Sequence, residues 1–170
     1  MKIIGSLKAV YLIWKYGPDI MFDGLTNFFG RAIFNVIAEK EIARAKRYNF
    51  IFSIVFVDID NLKEVNDKKG HLEEDEVIIR TARFLESCCR ESDSVFKYGG
   101  DEFVLILTNT DNVGRKIFEK GLSKRLEENN SFSFSFGGST WKEGLSIEDI
   151  IQASDAKMYL QKEARKKGKR

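Results

Sequence analysis

The chain has one histidine, one proline and two cysteines among 170 residues, and its formal net charge is only +2. A single histidine, His71, rules out the usual zinc ligand sets, so any metal must be held by oxygen and be a hard ion such as Mg²⁺ or Mn²⁺. Cys88 and Cys89 are adjacent, and sequence neighbours rarely close an ordinary disulfide because the bridge needs separated, mutually aimed side chains. The expected compartment is therefore reducing and the expected location cytoplasmic. One proline leaves no Pro-rich spacer to consider. The small net charge gives no pointer to a nucleic-acid partner, although the tail Lys162 to Arg170 is locally basic. Long apolar runs are also missing. Ala9 to Trp14, bracketed by Lys8 and Lys15, is far short of a bilayer span, and no clear cleavage site follows it. Residues 1–22 are expected to form an amphipathic lead-in helix or linker, broken at Gly17-Pro18, with no membrane span.

What is present belongs to a globular domain: 43% apolar and 32% charged residues, in a length that suits one domain with a real core. That domain is expected over 23–170. Ile33, Phe34, Ile37, Ala38, Ile42 and Ala45 recur at helical spacing within Arg31 to Tyr48. Phe50 to Ile59 is a nearly unbroken β-branched and aromatic run ending in Asp58 and Asp60, the pattern of a central strand covered on both faces. A polar stretch through Gly70 follows, then helical periodicity from Glu73 to Cys89. Ser94 to Tyr98 and Phe103 to Leu107 read as two strands joined by the hairpin turn Gly99-Gly100-Asp101-Glu102, whose glycines permit φ angles that other residues avoid. Val113 to Glu128 predicts a third helix. Phe132 to Ser139 alternates as a half-buried strand, and Ser146 with Asp149 forms a capping box for a last helix. Strands interleaved with helices around one tight hairpin indicate an α/β sandwich with a mixed sheet.

A sheet that pairs the strand ending at Asp58 with the hairpin carrying Asp101 brings together carboxylates from distant positions. Crowded, partly desolvated carboxylates raise one another's pKa unless a divalent cation supplies the missing charge. Magnesium takes a few carboxylates and completes its shell with water and phosphate oxygens, which makes a nucleotide the natural ligand. On spacing alone, a solvated strand edge and an ordinary Gly-Gly-Asp turn fit equally well. An EF-hand does not, because a calcium loop started at Asp58 would put Leu62 at a ligand position and Lys63 where glycine belongs.

Tyr98-Gly99-Gly100-Asp101-Glu102-Phe103, preceded by Asp58-Ile59-Asp60-Asn61-Leu62-Lys63-Glu64-Val65-Asn66-Asp67, resembles the signature of the GGDEF family of diguanylate cyclases. The resemblance runs from Asp23-Gly24-Leu25-Thr26 through Gly70-His71, Asp75-Glu76 and Ser135-Phe136-Gly137 to Asp155 and Tyr159-Leu160-Gln161-Lys162. It implies a sandwich like those of nucleotide cyclases and polymerase palms, and an enzyme that condenses two GTP into cyclic di-GMP across a homodimer. Asp58, the Ile59 carbonyl, Asp101 and Glu102 are implied metal ligands, and Asp101 or Glu102 is implied to help deprotonate the attacking ribose 3′-hydroxyl. Lys63, Lys162 and Lys166 match phosphate-contacting positions, while Asn66 and Asp75 match the pair that reads guanine. Gly99 and Gly100 would let backbone approach the nucleotide. Arg90 and Asp93 have the RxxD form of the family's inhibitory product site, where cyclic di-GMP binds. The chain departs from the family pattern at Asn27-Phe28-Phe29-Gly30, at Glu74, which adds bulk and charge beside the implied guanine site, and at Arg165-Lys166-Lys167. A GTP or cyclic di-GMP receptor and a palm-like transferase with another acceptor are the competing readings. Intact Asp58, Asp101 and Glu102 speak against the first, and Asn66 with Asp75 against the second.

Overall fold

In the computed structural model, residues 21–129 and 131–168 are described. The lead-in expected over residues 1–22 lies almost wholly outside the described residues. In chain order these form β1 (Phe29–Gly30), α1 (Arg31–Tyr48), β2 (Phe52–Ile59), α2 (Leu62–Lys69), α3 (His71–Cys88), β3 (Ser94–Lys97), β4 (Glu102–Thr108), α4 (Asn112–Glu127), β5 (Phe134–Thr140) and α5 (Ile147–Gly168).

Side chains alternate across a strand, so the unbroken apolar run of β2 must be covered on both faces. One face, with Phe52, Ile54 and Phe56, packs with Phe34 and Ala38 of α1 and Ile150 and Met158 of α5. On the other, Val55, Val57 and Ile59 meet Val77, Ala82 and Leu85 of α3 and Leu122 and Leu126 of α4. The strand order is β1-β3-β4-β2-β5. β1 runs parallel to β3 and the other neighbours are antiparallel, which makes the sheet mixed as expected. The capping box forms: the Ser146 N–H donates to Asp149 Oδ2 at 2.9 Å and the Asp149 N–H to Ser146 Oγ at 3.1 Å.

Three features differ from the sequence reading. The polar stretch before Gly70 contains helix α2, entered through Asn61 in the left-handed region at φ 56°. Its 8 residues bury only Leu62, too little to register as periodicity. β5 is buried on both faces rather than half-buried, because its serines are covered as well: Ser135 is fully buried and Ser139 nearly so. The covering helix sits very close. A Cβ on Gly137 would come within 2.6 Å of Ser154 O and of Lys157 Cβ, so α5 can lie directly on β5 only over a bare backbone. Finally, β1 is a strand of 2 residues whose pairing depends on β3, with no alternation to announce it.

Candidate functional site

The antiparallel register of β2 and β4 sets Asp58 directly opposite Glu102. Directly opposite residues point to the same face about 4.5–5.5 Å apart at Cβ, so two carboxylates there repel. By the alternation of β2, Asp58 shares the face of Phe56, the face covered by α5. Asp101 stands on the turn before β4, and its carbonyl accepts from the Ile59 N–H at 3.0 Å, which fastens the turn to the end of β2.

The turn is held from below by a residue that the sequence reading passed over. Lys97 is buried, donates from Nζ to the carbonyls of Gly99 and Gly100, and lies 4.9 Å from the Phe103 ring centroid. A lysine inside the apolar run Ser94 to Tyr98 was the available signal. Burial pushes its pKa down, against the opposing pull of Asp23, Asp101 and Glu102. Neither Gly99 nor Gly100 has a positive φ, contrary to expectation. A Cβ on Gly99 would instead meet the Glu102 carboxylate, which would have to swing aside.

Electrostatically this end of the sheet is strained. Burial raises the Glu102 pKa above the ordinary carboxylate range, and Asp101, Asp58 and Asp155 raise it further against the pull of Lys97. Burial also raises that of Asp58. Its bond to Lys162 and the Lys162 charge oppose the shift, while Asp101 and Asp60 add to it. Lys162 is ion-paired to Asp58. Asp60 accepts from Ser135 Oγ at 2.8 Å and pairs with Arg165 at 3.3 Å, and Arg165 also donates to the Phe134 carbonyl. Arg165 therefore faces this acidic end, whereas Lys166, matched earlier to a phosphate-contacting position, is exposed and paired with Glu163 at 3.1 Å. A groove of about 540 Å³ opens beside Glu102, with Arg31, Tyr98 and Asp155 in its walls.

Among the described residues no three His, Cys, Asp or Glu side chains form a ready-made metal cage. The donors that do lie close, the carboxylates of Asp58, Asp101 and Glu102, are all oxygen. Such a partial, hard set fits an ion that keeps water and substrate oxygens in its shell.

Lys63 and Asn66 lie on α2, which starts directly after β2, and Asp75 lies early in α3, whose first residue follows Gly70. Lys63 is exposed, while Asn66 and Asp75 are half-buried. Glu74 is drawn to His71, with Oε2 3.1 Å from Nδ1. Arg90 and Asp93 sit elsewhere, at the start of β3, while the carboxylates lie past its other end, roughly 10 Å along the strand. The Asp93 carboxylate accepts from the Arg90 N–H at 3.0 Å and the Thr108 N–H at 3.1 Å. Arg90 itself is exposed.

The family model described as "Diguanylate cyclase, GGDEF domain" matches residues 20–168. The chain belongs to the GGDEF family. It is 29% identical over 153 residues to the diguanylate cyclase DosC of Escherichia coli (strain K12), covering 85% of this chain and 33% of that protein. To the diguanylate cyclase DgcM of the same strain it is 32% identical over 149 residues, covering 82% of this chain and 35% of DgcM. This GGDEF chain thus spans about a third of the length of each of these two relatives. In fold it is similar to the GGDEF domain of DgcB from Caulobacter crescentus, crystallised in complex with c-di-GMP. The TM-score is 0.80 at 24% identity, over 86% of this chain and 92% of that one. No helix among the described residues is long and apolar enough to cross a membrane.

Proposed function

We propose that this GGDEF domain is a diguanylate cyclase that joins two GTP molecules into cyclic di-GMP with release of pyrophosphate. The observation that carries the reading is the pairing of Asp58 with Glu102 across β2 and β4, with Asp101 on the adjoining turn fastened to Ile59. It sits in a chain whose relatives DosC and DgcM are named diguanylate cyclases.

Asp58, Asp101, Glu102 and the Ile59 carbonyl would hold Mg²⁺ or Mn²⁺. The ion, when bound, polarises the α-phosphate, lowers the pKa of the attacking 3′-hydroxyl and neutralises the departing pyrophosphate. Asp101 or Glu102 accepts the hydroxyl proton. Lys63 and Lys162 place positive charge on the triphosphate, and Gly99 and Gly100 leave the backbone open to it. Asn66 and Asp75 read the base: a carboxylate accepts from guanine N1–H and N2–H₂, a pattern adenine lacks. The Glu74 charge is partly drawn aside by His71. Each domain holds one GTP, so two domains must face each other as a homodimer for the chain to cyclise. Arg90 and Asp93 form the inhibitory product site, with Asp93 fixing the turn and the exposed Arg90 guanidinium meeting the cyclic di-GMP.

The test incubates purified protein at increasing concentration with GTP and Mg²⁺, or with ATP and Mg²⁺, and identifies products by chromatography. Cyclic di-GMP from GTP alone, rising more than linearly with protein concentration, is the expected result. Absence of cyclic product with tight binding of added cyclic di-GMP would overturn the reading in favour of a receptor.

A further inference from the structure

The carboxylate that the proposed function assigns to the metal already has a cation on it. Lys162 is ion-paired to Asp58, with 23% of the lysine side chain and 14% of the aspartate exposed. An ammonium and a divalent ion both require the carboxylate's charge and lone pairs, so they compete for it. Two of the neighbouring carboxylates are already partnered. Asp60 is held by Arg165 and Ser135, and Glu163 by Lys166. From the turn side, the buried cation Lys97 is committed to the carbonyls of Gly99 and Gly100. Lys162 is thus the counter-ion of Asp58, presented by α5, which is packed tightly on β5. A bound triphosphate would change this, because it offers a compact ammonium several anionic oxygens at once.

We propose that Lys162 occupies Asp58 in place of the divalent ion until a nucleotide arrives, so that metal binds tightly only together with a triphosphate that draws the ammonium away. Metal and nucleotide then bind with positive coupling, and each strengthens the other by the same factor. The inference rests on the cyclase reading only in taking Asp58 as a metal ligand.

The test titrates Mn²⁺ alone into nucleotide-free protein and follows free ion by electron paramagnetic resonance. Lys162→Met is expected to bind Mn²⁺ about tenfold more tightly than the unmodified protein, the effect of removing a partly buried competitor. Lys162→Arg, which keeps the cation, should stay weak, and Asp58→Asn combined with Lys162→Met should lose the gain. Lys63→Met removes an equal charge from an exposed position, and little tightening is expected there. Lys162→Gln serves the same purpose if the methionine variant does not fold. Unchanged or weaker Mn²⁺ binding in the Met and Gln variants would overturn the proposal, and so would equal tightening in Lys63→Met. Since no product is measured, tightening in a protein that forms no cyclic di-GMP would sink the cyclase reading and leave this one standing.

Discussion

The carboxylate end of the sheet and the Arg90–Asp93 turn both set acids among cations, and they differ in what the acids touch. Asp93 accepts two backbone N–H groups, from Arg90 and Thr108, so its charge has a structural use whether or not a ligand is present. Asp58 and Glu102 instead are costly to ionise, through burial and the nearby Asp101 charge, and the Asp58 share is met by a lysine from a distant helix. A satisfied carboxylate holds a fold in place. Crowded ones store a demand for positive charge, which a cation can meet.

The sharpest way to break this contrast is to neutralise one crowded acid. Asp58→Asn should lower cyclisation by roughly 10³-fold while the melting temperature moves by a few degrees at most. A variant that unfolds instead would make Asp58 a structural residue like Asp93. Next in size is the closed character of the other region, where burial pushes the Cys89 thiol up to about 12, with Asp93, Cys88 and Glu86 adding to the shift. A raised pKa keeps the thiol protonated until the pH approaches that value. Alkylation of Cys89 at pH 8, followed by mass spectrometry, should therefore run at least about 10²-fold slower than for a free cysteine.

Gly99→Ala tests the carboxylate end by sterics alone, since the new Cβ must push the Glu102 carboxylate aside. We expect about a tenfold loss of turnover, the scale of a misplaced catalytic group, with little change in melting. The smallest effects separate the two members of the turn. Asp93→Ala should cost about 1–2 kcal/mol in denaturant unfolding because it strands the Thr108 and Arg90 N–H groups. Arg90→Ala should change stability by less than about 0.5 kcal/mol, as an exposed side chain, and relieve inhibition by added cyclic di-GMP. Equal destabilisation by both, with inhibition retained, would reduce the RxxD match to a turn motif.

Much of the fold was legible because it depends on patterns that a single segment carries. The period of α1, the double-sided apolar run of β2 and the Gly-Gly turn between β3 and β4 each follow from local side-chain placement. α2 was hidden because a short helix that buries one leucine has no stripe to read. β5 looked half-buried because serine is polar, yet small hydroxyls are readily covered when hydrogen-bonded, as Ser135 is to Asp60. At the site, Asp58 and Asp101 could be placed near each other from strand logic alone. The positions of their counter-charges could not. Lys162 and Arg165 rather than Lys166 face the acids because of how α5 is rotated over β5, and Lys97 reaches the turn carbonyls only once the hairpin is closed.

The most direct test of the central claim compares cyclic di-GMP formation from GTP and Mg²⁺ by the unmodified protein and by Asp101→Ala, side by side. The account predicts product from the first and none detectable from the second, with both proteins folded. Product from both, or from neither, would contradict it.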